Sequence, residues 1–225
     1  MIMKIARFFL GILFLPLCWI SMRTMISLIQ AIHPSLYSAI SFSSMAICGG
    51  FLLWLFLYFM FPRPVRSYVL AHELTHALWG ELMGAKVSHI KISEKGGSVR
   101  LSKNNFFITL APYFFPFYTV IAVIIYCVLS IFFEMENYDL YWLALVGLTW
   151  GFHFTFTITA LLQHQDDIHK YGYVFSYAVI FIFNILGICF WIVAVSSATL
   201  EQMMNFMTAN LSLIAQGIWS ELTSH

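Results

Sequence analysis

Charged side chains are scarce in this sequence: Asp, Glu, Lys and Arg make up 9% of its 225 residues, and the formal net charge is only +1. A soluble domain carries about 25% charged residues, so this composition excludes a large soluble domain. No basic run is present, and nothing therefore indicates binding to nucleic acid. With 61% hydrophobic residues, the chain is instead typical of an integral membrane protein whose partner is the lipid bilayer.

Cysteine pairs are also missing, since the four cysteines lie in four different apolar stretches and none forms a C-x-x-C pair. This spacing excludes a thiolate zinc cluster and a thiol redox motif. What the sequence does contain is a series of long apolar segments, most of them long enough to cross a bilayer. They predict an all-α polytopic membrane protein with about six transmembrane helices, at 5–32, 36–61, 65–83, 104–133, 140–162 and 172–195.

Two segments depart from this pattern. Residues 86–102 alternate polar and apolar side chains around a Gly-Gly turn, which predicts a small β-hairpin after the third helix. Residues 196–225 carry apolar side chains at helical spacing among several amides, which predicts an amphipathic C-terminal helix at the membrane surface. We therefore expect one transmembrane domain at 1–195, followed by this tail.

Pro112 and Pro116 interrupt the fourth predicted helix and are expected to bend it.

The third predicted helix contains the sequence His72-Glu73-Leu74-Thr75-His76, an instance of the H-E-x-x-H pattern. Residues four apart on a helix lie on the same face, so His72 and His76 can share a metal ion. Two imidazoles and a water are the start of a catalytic zinc site, and Glu73 is placed to take a proton from that water. Ionisable side chains inside a membrane helix are costly, which favours a functional interpretation of all three.

A third ligand is needed, and the metzincin pattern does not supply it, because Trp79 and Leu82 stand where that pattern requires Gly and His. Glu94 lies at a suitable distance in sequence, but at a predicted turn. Counting membrane crossings places the end of the fifth helix on the same side as the motif. Asp166 or Asp167 is therefore the better candidate, with His164 and His169 as weaker alternatives.

The stretch Ala71-His72-Glu73-Leu74-Thr75-His76-Ala77-Leu78-Trp79-Gly80-Glu81-Leu82-Met83-Gly84-Ala85-Lys86-Val87 resembles the site-2 protease family of intramembrane zinc metalloproteases. The later stretch Gln165-Asp166-Asp167-Ile168 resembles a Gln-x-Asp-Ile/Leu pattern of small bacterial members, and this alignment favours Asp167 over Asp166. The resemblance covers about residues 63–184. The chain lacks the Asn-Pro stretch ending in Leu-Asp-Gly that better-known members carry.

The resemblance implies one Zn²⁺ per chain, held by His72, His76 and Asp167, with Glu73 as the catalytic base. The expected activity is hydrolysis of peptide bonds in transmembrane or membrane-proximal protein substrates. The chain has no room for a PDZ-like or CBS-like domain, so regulation is expected from a partner chain or a homo-oligomer. Three further polar residues are candidates for binding the substrate or stabilising the oxyanion: Asn104, Asn105 and Asn184.

Orientation follows from the basic residues that flank the predicted helices. The side that carries the motif has six of them and the other side has four, which places the site nearer the cytoplasmic face, in keeping with a bacterial cytoplasmic membrane protein. Lys4 and Arg7 argue for the reverse orientation. Two other functions remain open: a catalytically inactive metal-binding scaffold, for which Glu73 would be dispensable, and a metal-ion transporter.

Overall fold

The computed structural model describes residues 2–32, 42–93 and 96–223 of the chain. The described residues are mostly helical, with one two-stranded antiparallel sheet. The longer helices are α1 (Ile2–Ala31), α2 (Phe42–Met60), α3 (Val65–Leu82), α5 (Phe117–Phe132), α6 (Asp139–Leu161), α8 (Tyr173–Val195) and α9 (Leu200–Thr223). The shorter elements are the strands β1 (Val87–Ser93) and β2 (Gly96–Leu101), the helices α4 (Phe106–Leu110) and α7 (Asp166–Tyr171), and the 3-10 turns Ala111–Tyr113 and Glu136–Tyr138.

The prediction of about six membrane-crossing helices is not confirmed. Among the described residues, four helical segments are long and apolar enough to cross: Met3–Ala31, Phe42–Met60, Glu136–Leu161 and Tyr173–Val195. A fifth candidate is a broken pair, Phe106–Tyr113 and Phe117–Phe132, whose two halves meet at 83°. The motif helix α3 does not qualify, because its 18 residues include three charges, Arg66, Glu73 and Glu81.

Several predicted boundaries are matched by observed elements. The hairpin predicted at 86–102 corresponds to β1 and β2, which pair in antiparallel register from Val87–Leu101 to Ser93–Gly96. Its tip, Glu94 and Lys95, lies outside the described residues, as does the beginning of the predicted helix 36–61. The predicted tail contains the helix α9. Whether 1–195 forms one domain stays a prediction.

Contacts along the chain divide it into two compact units, 1–41 with 171–225, and 42–170. In the first unit, α1, α8 and α9 pack around an apolar cluster of Leu28, Ile185, Cys189, Ala198 and Met203. In the second unit, α2 packs tightly on α6. Cβ atoms at Gly50 or Gly147 would collide with the carbonyls of Ala144 and Ile47, so small residues allow the close approach of these two helices.

An aromatic cluster in the second unit fixes the first half of α3. Trp54 and Tyr58 of α2 pack against Phe152 and Phe156 of α6. Trp54 Nε1 also donates a hydrogen bond of 2.9 Å to Thr155 Oγ1. The Tyr68 ring of α3 stacks on Phe156 at 4.8 Å, nearly parallel to it. The helix that carries the motif therefore packs, through Tyr68, against an aromatic cluster formed by α2 and α6.

The other end of α3 is closed by a turn that leads into the hairpin. Gly84 adopts a left-handed φ of +73°, which glycine tolerates without strain. Gly84 N then donates to Glu81 O at 2.9 Å, and Ala85 N donates to Gly80 O at 2.8 Å. These two bonds form a Schellman motif, the expected end of a helix at such a glycine. The chain turns back at this point, so that β2 lies alongside α3.

Candidate metal centre

Three side chains of the second unit converge on one point: His72 and His76 of α3 and Asp167 of α7. The two Nε2 atoms are 3.2 Å apart. Asp167 Oδ2 lies 3.4 Å from His72 Nε2 and 3.3 Å from His76 Nε2. The three atoms thus form a nearly equilateral triangle.

The size of this triangle suits zinc. Zinc bonds of about 2.0–2.1 Å to nitrogen and oxygen place neighbouring ligands of a tetrahedral site about 3.3–3.4 Å apart. The observed separations of 3.2, 3.3 and 3.4 Å agree with that spacing. Two imidazoles and one carboxylate are also a donor set that zinc accepts, and they leave the fourth corner for a water or a substrate. The residues present therefore fit a catalytic zinc ion.

The contact behind the His76 imidazole favours this use of its Nε2 atom. His76 Nδ1 lies 2.8 Å from the carbonyl oxygen of Ile108 in α4. A carbonyl can only accept, so His76 carries its proton on Nδ1 and, when neutral, has a free lone pair on Nε2. His72 Nδ1 contacts the Tyr68 hydroxyl at 3.3 Å. The carbonyl acceptor orients the His76 ring and raises its basicity as a metal ligand, whereas the Tyr68 hydroxyl can either donate to His72 Nδ1 or accept from it.

Asp167 is held as the anion. Burial alone raises the pKa of Asp167; when the Nε2 atoms of His72 and His76 are protonated, the hydrogen bonds they donate, together with the charge of the rings, hold that pKa well below its ordinary value. The Tyr113 hydroxyl also donates to Asp167 Oδ2, at 3.4 Å. An ionised carboxylate is the form that binds a metal, so the site keeps Asp167 ready for this role.

Glu73 is buried, with only 6% of its surface exposed. It lines a cleft of about 930 Å³ together with His72, His76 and Asp167. All six residues of the strand β2 contribute to the lining of this cleft, and the segment Gln163–Asp167 lines it as well. A carboxylate beside two candidate ligands in an open cleft is well placed to exchange a proton with a water there.

The other predicted residues have different positions. Asp166 is fully exposed, its Oδ1 lies 3.6 Å from His164 Nε2, and it is not among the three residues whose ligand atoms converge. Asn104 lines the cleft and accepts a hydrogen bond from Thr109 Oγ1. Asn105 caps α4, where its Oδ1 accepts from Ile108 N at 2.9 Å, and this explains its presence without a substrate. Glu94 lies outside the described residues.

Asn184 belongs to the first unit, where its side-chain amide donates to Ile180 O on the same helix at 2.8 Å. Its substrate-binding role stays a prediction.

Sequence reasoning missed three residues that touch the site: Tyr68, Tyr113 and Gly97. Tyr68 could have been found, because it precedes His72 by four residues and so shares its helix face.

No protein-family model, curated protein or solved structure matches this chain.

Proposed function

We propose that this chain is a multi-pass membrane zinc metalloprotease of the site-2 protease type. It would hydrolyse peptide bonds of membrane-embedded or membrane-proximal protein substrates. The observation that carries the proposal is the triangle of His72, His76 and Asp167, with zinc-like separations, beside the buried Glu73 in an open cleft. Among the described residues, no other group of His, Cys, Asp and Glu side chains offers three converging ligand atoms.

A zinc ion bound by these three residues would act as a Lewis acid that activates a water and polarises the carbonyl to be cleaved. The chain's own residues perform the remaining tasks. Glu73 takes the proton of the attacking water and delivers it to the departing amine, as a general base and then a general acid. The Nδ1 contacts of His72 and His76 keep both rings facing the cleft.

The strand β2 offers a way to hold the substrate. Within the described residues it pairs only with β1, and it lines the cleft. An extended peptide can add to such an edge by main-chain hydrogen bonds. Six strand residues span about 20 Å, which is enough to hold a peptide on both sides of the scissile bond. A transmembrane substrate must unwind before it can pair in this way, because helical carbonyls are already hydrogen-bonded.

The membrane assignment rests on the four long apolar helical segments. The basic residues near the hairpin favour a site on the cytoplasmic side of a bacterial cytoplasmic membrane. Regulation would come from a partner chain or from a second copy of this chain.

The test combines metal analysis with a cleavage assay on detergent-purified protein. We expect about one zinc per wild-type chain and none in His76→Ala. The cleavage assay uses a panel of single-span transmembrane peptides labelled with a fluorophore and a quencher. The wild type should cleave at least one of them, and a zinc chelator should stop the reaction. The assay also includes an unfolded protein as a substrate. If the wild type binds zinc but cleaves neither the peptides nor the unfolded protein, the inactive scaffold is favoured instead.

A further inference from the structure

Tyr113 is fully buried where the chain bends between α4 and α5. It ends the 3-10 turn Ala111–Tyr113, which contains Pro112, and Pro116 follows three residues later. Proline removes main-chain donors and prevents a continuous helix through this segment. The bend therefore places a large polar side chain inside the second unit, next to the candidate metal centre.

The contacts of Tyr113 are directed at the metal ligands. Its hydroxyl lies 3.4 Å from Asp167 Oδ2, the same oxygen that faces both histidines. An ionised carboxylate only accepts, so Tyr113 is the donor. The Tyr113 ring also meets the His72 imidazole edge-on, with ring centroids 5.3 Å apart. A single side chain thus touches two of the three candidate ligands.

Asp167 needs such support more than the histidines do. His72 and His76 lie on an 18-residue helix, whereas Asp167 is the second residue of the six-residue helix α7. Its side chain is 30% exposed, against 12% for His72 and 11% for His76. A partly exposed carboxylate on a short element has water as an alternative partner and several rotamers available. A fixed hydrogen-bond donor at Oδ2 reduces the competition from water and the number of rotamers that Asp167 can adopt.

We infer that Tyr113 is a positioning residue, which holds Asp167 Oδ2 towards His72 and His76 so that the three bind one zinc ion; this inference rests on the proposed function. With it, each ligand has one protein group behind it: the Tyr68 hydroxyl for His72, the Ile108 carbonyl for His76 and the Tyr113 hydroxyl for Asp167. Loss of such an outer partner typically weakens metal binding by about 10- to 100-fold.

The experiment measures the zinc dissociation constant by competition with a chelator, for the wild type, Tyr113→Phe and Tyr118→Phe. Tyr118 is the matched control, because its partly buried hydroxyl donates to Ser67 O rather than to a ligand. We expect the dissociation constant to rise about 10- to 100-fold in Tyr113→Phe and to stay within twofold of the wild type in Tyr118→Phe.

Thermal unfolding of the same three proteins, with and without zinc, separates positioning from a general structural role. A ligand that binds only the folded state raises the melting temperature, by less when it binds more weakly. Tyr113→Phe should therefore show a smaller zinc-induced increase than Tyr118→Phe, while the two metal-free proteins melt alike. Zinc affinity of Tyr113→Phe equal to that of Tyr118→Phe would overturn this inference alone. Absence of zinc binding in the wild type would overturn the proposed function together with it.

Discussion

Gly97 of β2 lies against the side chain of Glu73 on α3. A Cβ atom at position 97 would lie 2.5 Å from Glu73 Cγ and 2.7 Å from Glu73 Oε1, inside the 3.0 Å that real Cβ atoms essentially never cross. Farther along the same strand, Leu101 lies in the same way against Gly80. The hairpin is thus seated on the motif helix, and a glycine at its closest point leaves room for the carboxylate.

Replacing Gly97 by Ala should therefore displace Glu73 without removing any candidate ligand. We expect cleavage to fall by about 10- to 100-fold, since a shift of about 1 Å in a reacting group can cost that much. Zinc content should remain at the wild-type value, because His72, His76 and Asp167 are untouched. Cleavage rates and zinc content of the purified variant check this expectation.

The control is Lys91→Ala, at an exposed position of the neighbouring strand β1 that does not line the cleft, and this variant should cleave like the wild type. Full activity in Gly97→Ala would show that the space beside Glu73 is not needed. Loss of zinc in that variant would mean that the hairpin supports the metal ligands themselves.

Glu73→Gln tests the proton transfer directly. Glutamine has nearly the same shape but cannot accept the proton of the attacking water, so cleavage should fall by about 10²- to 10⁴-fold. Zinc content should not change, since Glu73 is not one of the three converging ligands. The measurement is cleavage rate and zinc content on one preparation, and cleavage at the wild-type rate would remove Glu73 from the mechanism.

Asp166 and Asp167 form a matched pair for the third ligand. Asp167 Oδ2 lies within 3.4 Å of both imidazoles, whereas Asp166 is fully exposed beside His164. Asp167→Ala should lose zinc at chelator concentrations that leave the wild type loaded, and Asp166→Ala should keep it. The reverse outcome would transfer the ligand role to Asp166, and equal zinc retention in both variants would mean that neither residue binds the metal.

The parts of the site that lie close together in sequence could be predicted. Two histidines four residues apart share a helix face by geometry alone, and the helix predicted at 65–83 corresponds to α3 at Val65–Leu82. Alternating side chains around Gly96 and Gly97 predicted the hairpin. Each of these features depends on a few neighbouring residues, whatever the rest of the chain does.

The parts that depend on tertiary contacts could not be predicted. Tyr113 reaches Asp167 across 54 residues of sequence because the chain bends at Pro112 and Pro116, and no local pattern specifies where that bend points. The predicted number of about six crossings is not confirmed, for a different reason. The length and apolar neighbours of 65–83 predict a span, but Arg66, Glu73 and Glu81 make α3 more polar than the four segments that are apolar enough to cross.

In the part of the chain that the structure describes, β2 pairs along one edge only, and its other edge leads to a prediction about the substrate. In a strand that pairs along one edge, successive N–H groups point alternately towards the partner and away from it. If the peptide pairs with β2, N-methylation at every second residue near the cleaved bond should reduce cleavage sharply, and N-methylation at the residues between should have little effect. The sensitive region should extend over about six residues, the length of the strand that lines the cleft.

The measurement is a series of peptides cut by the enzyme, each carrying one N-methyl group at a different position. N-methylation outside the six-residue window serves as the control, since those residues lie beyond β2. A uniform loss of cleavage at all positions would indicate that the cleft excludes the added methyl group because of its size. Unchanged cleavage throughout the series would show that main-chain pairing with β2 does not hold the substrate. Alternation with a period of two is the outcome that only strand pairing produces, because no side chain is changed in the series.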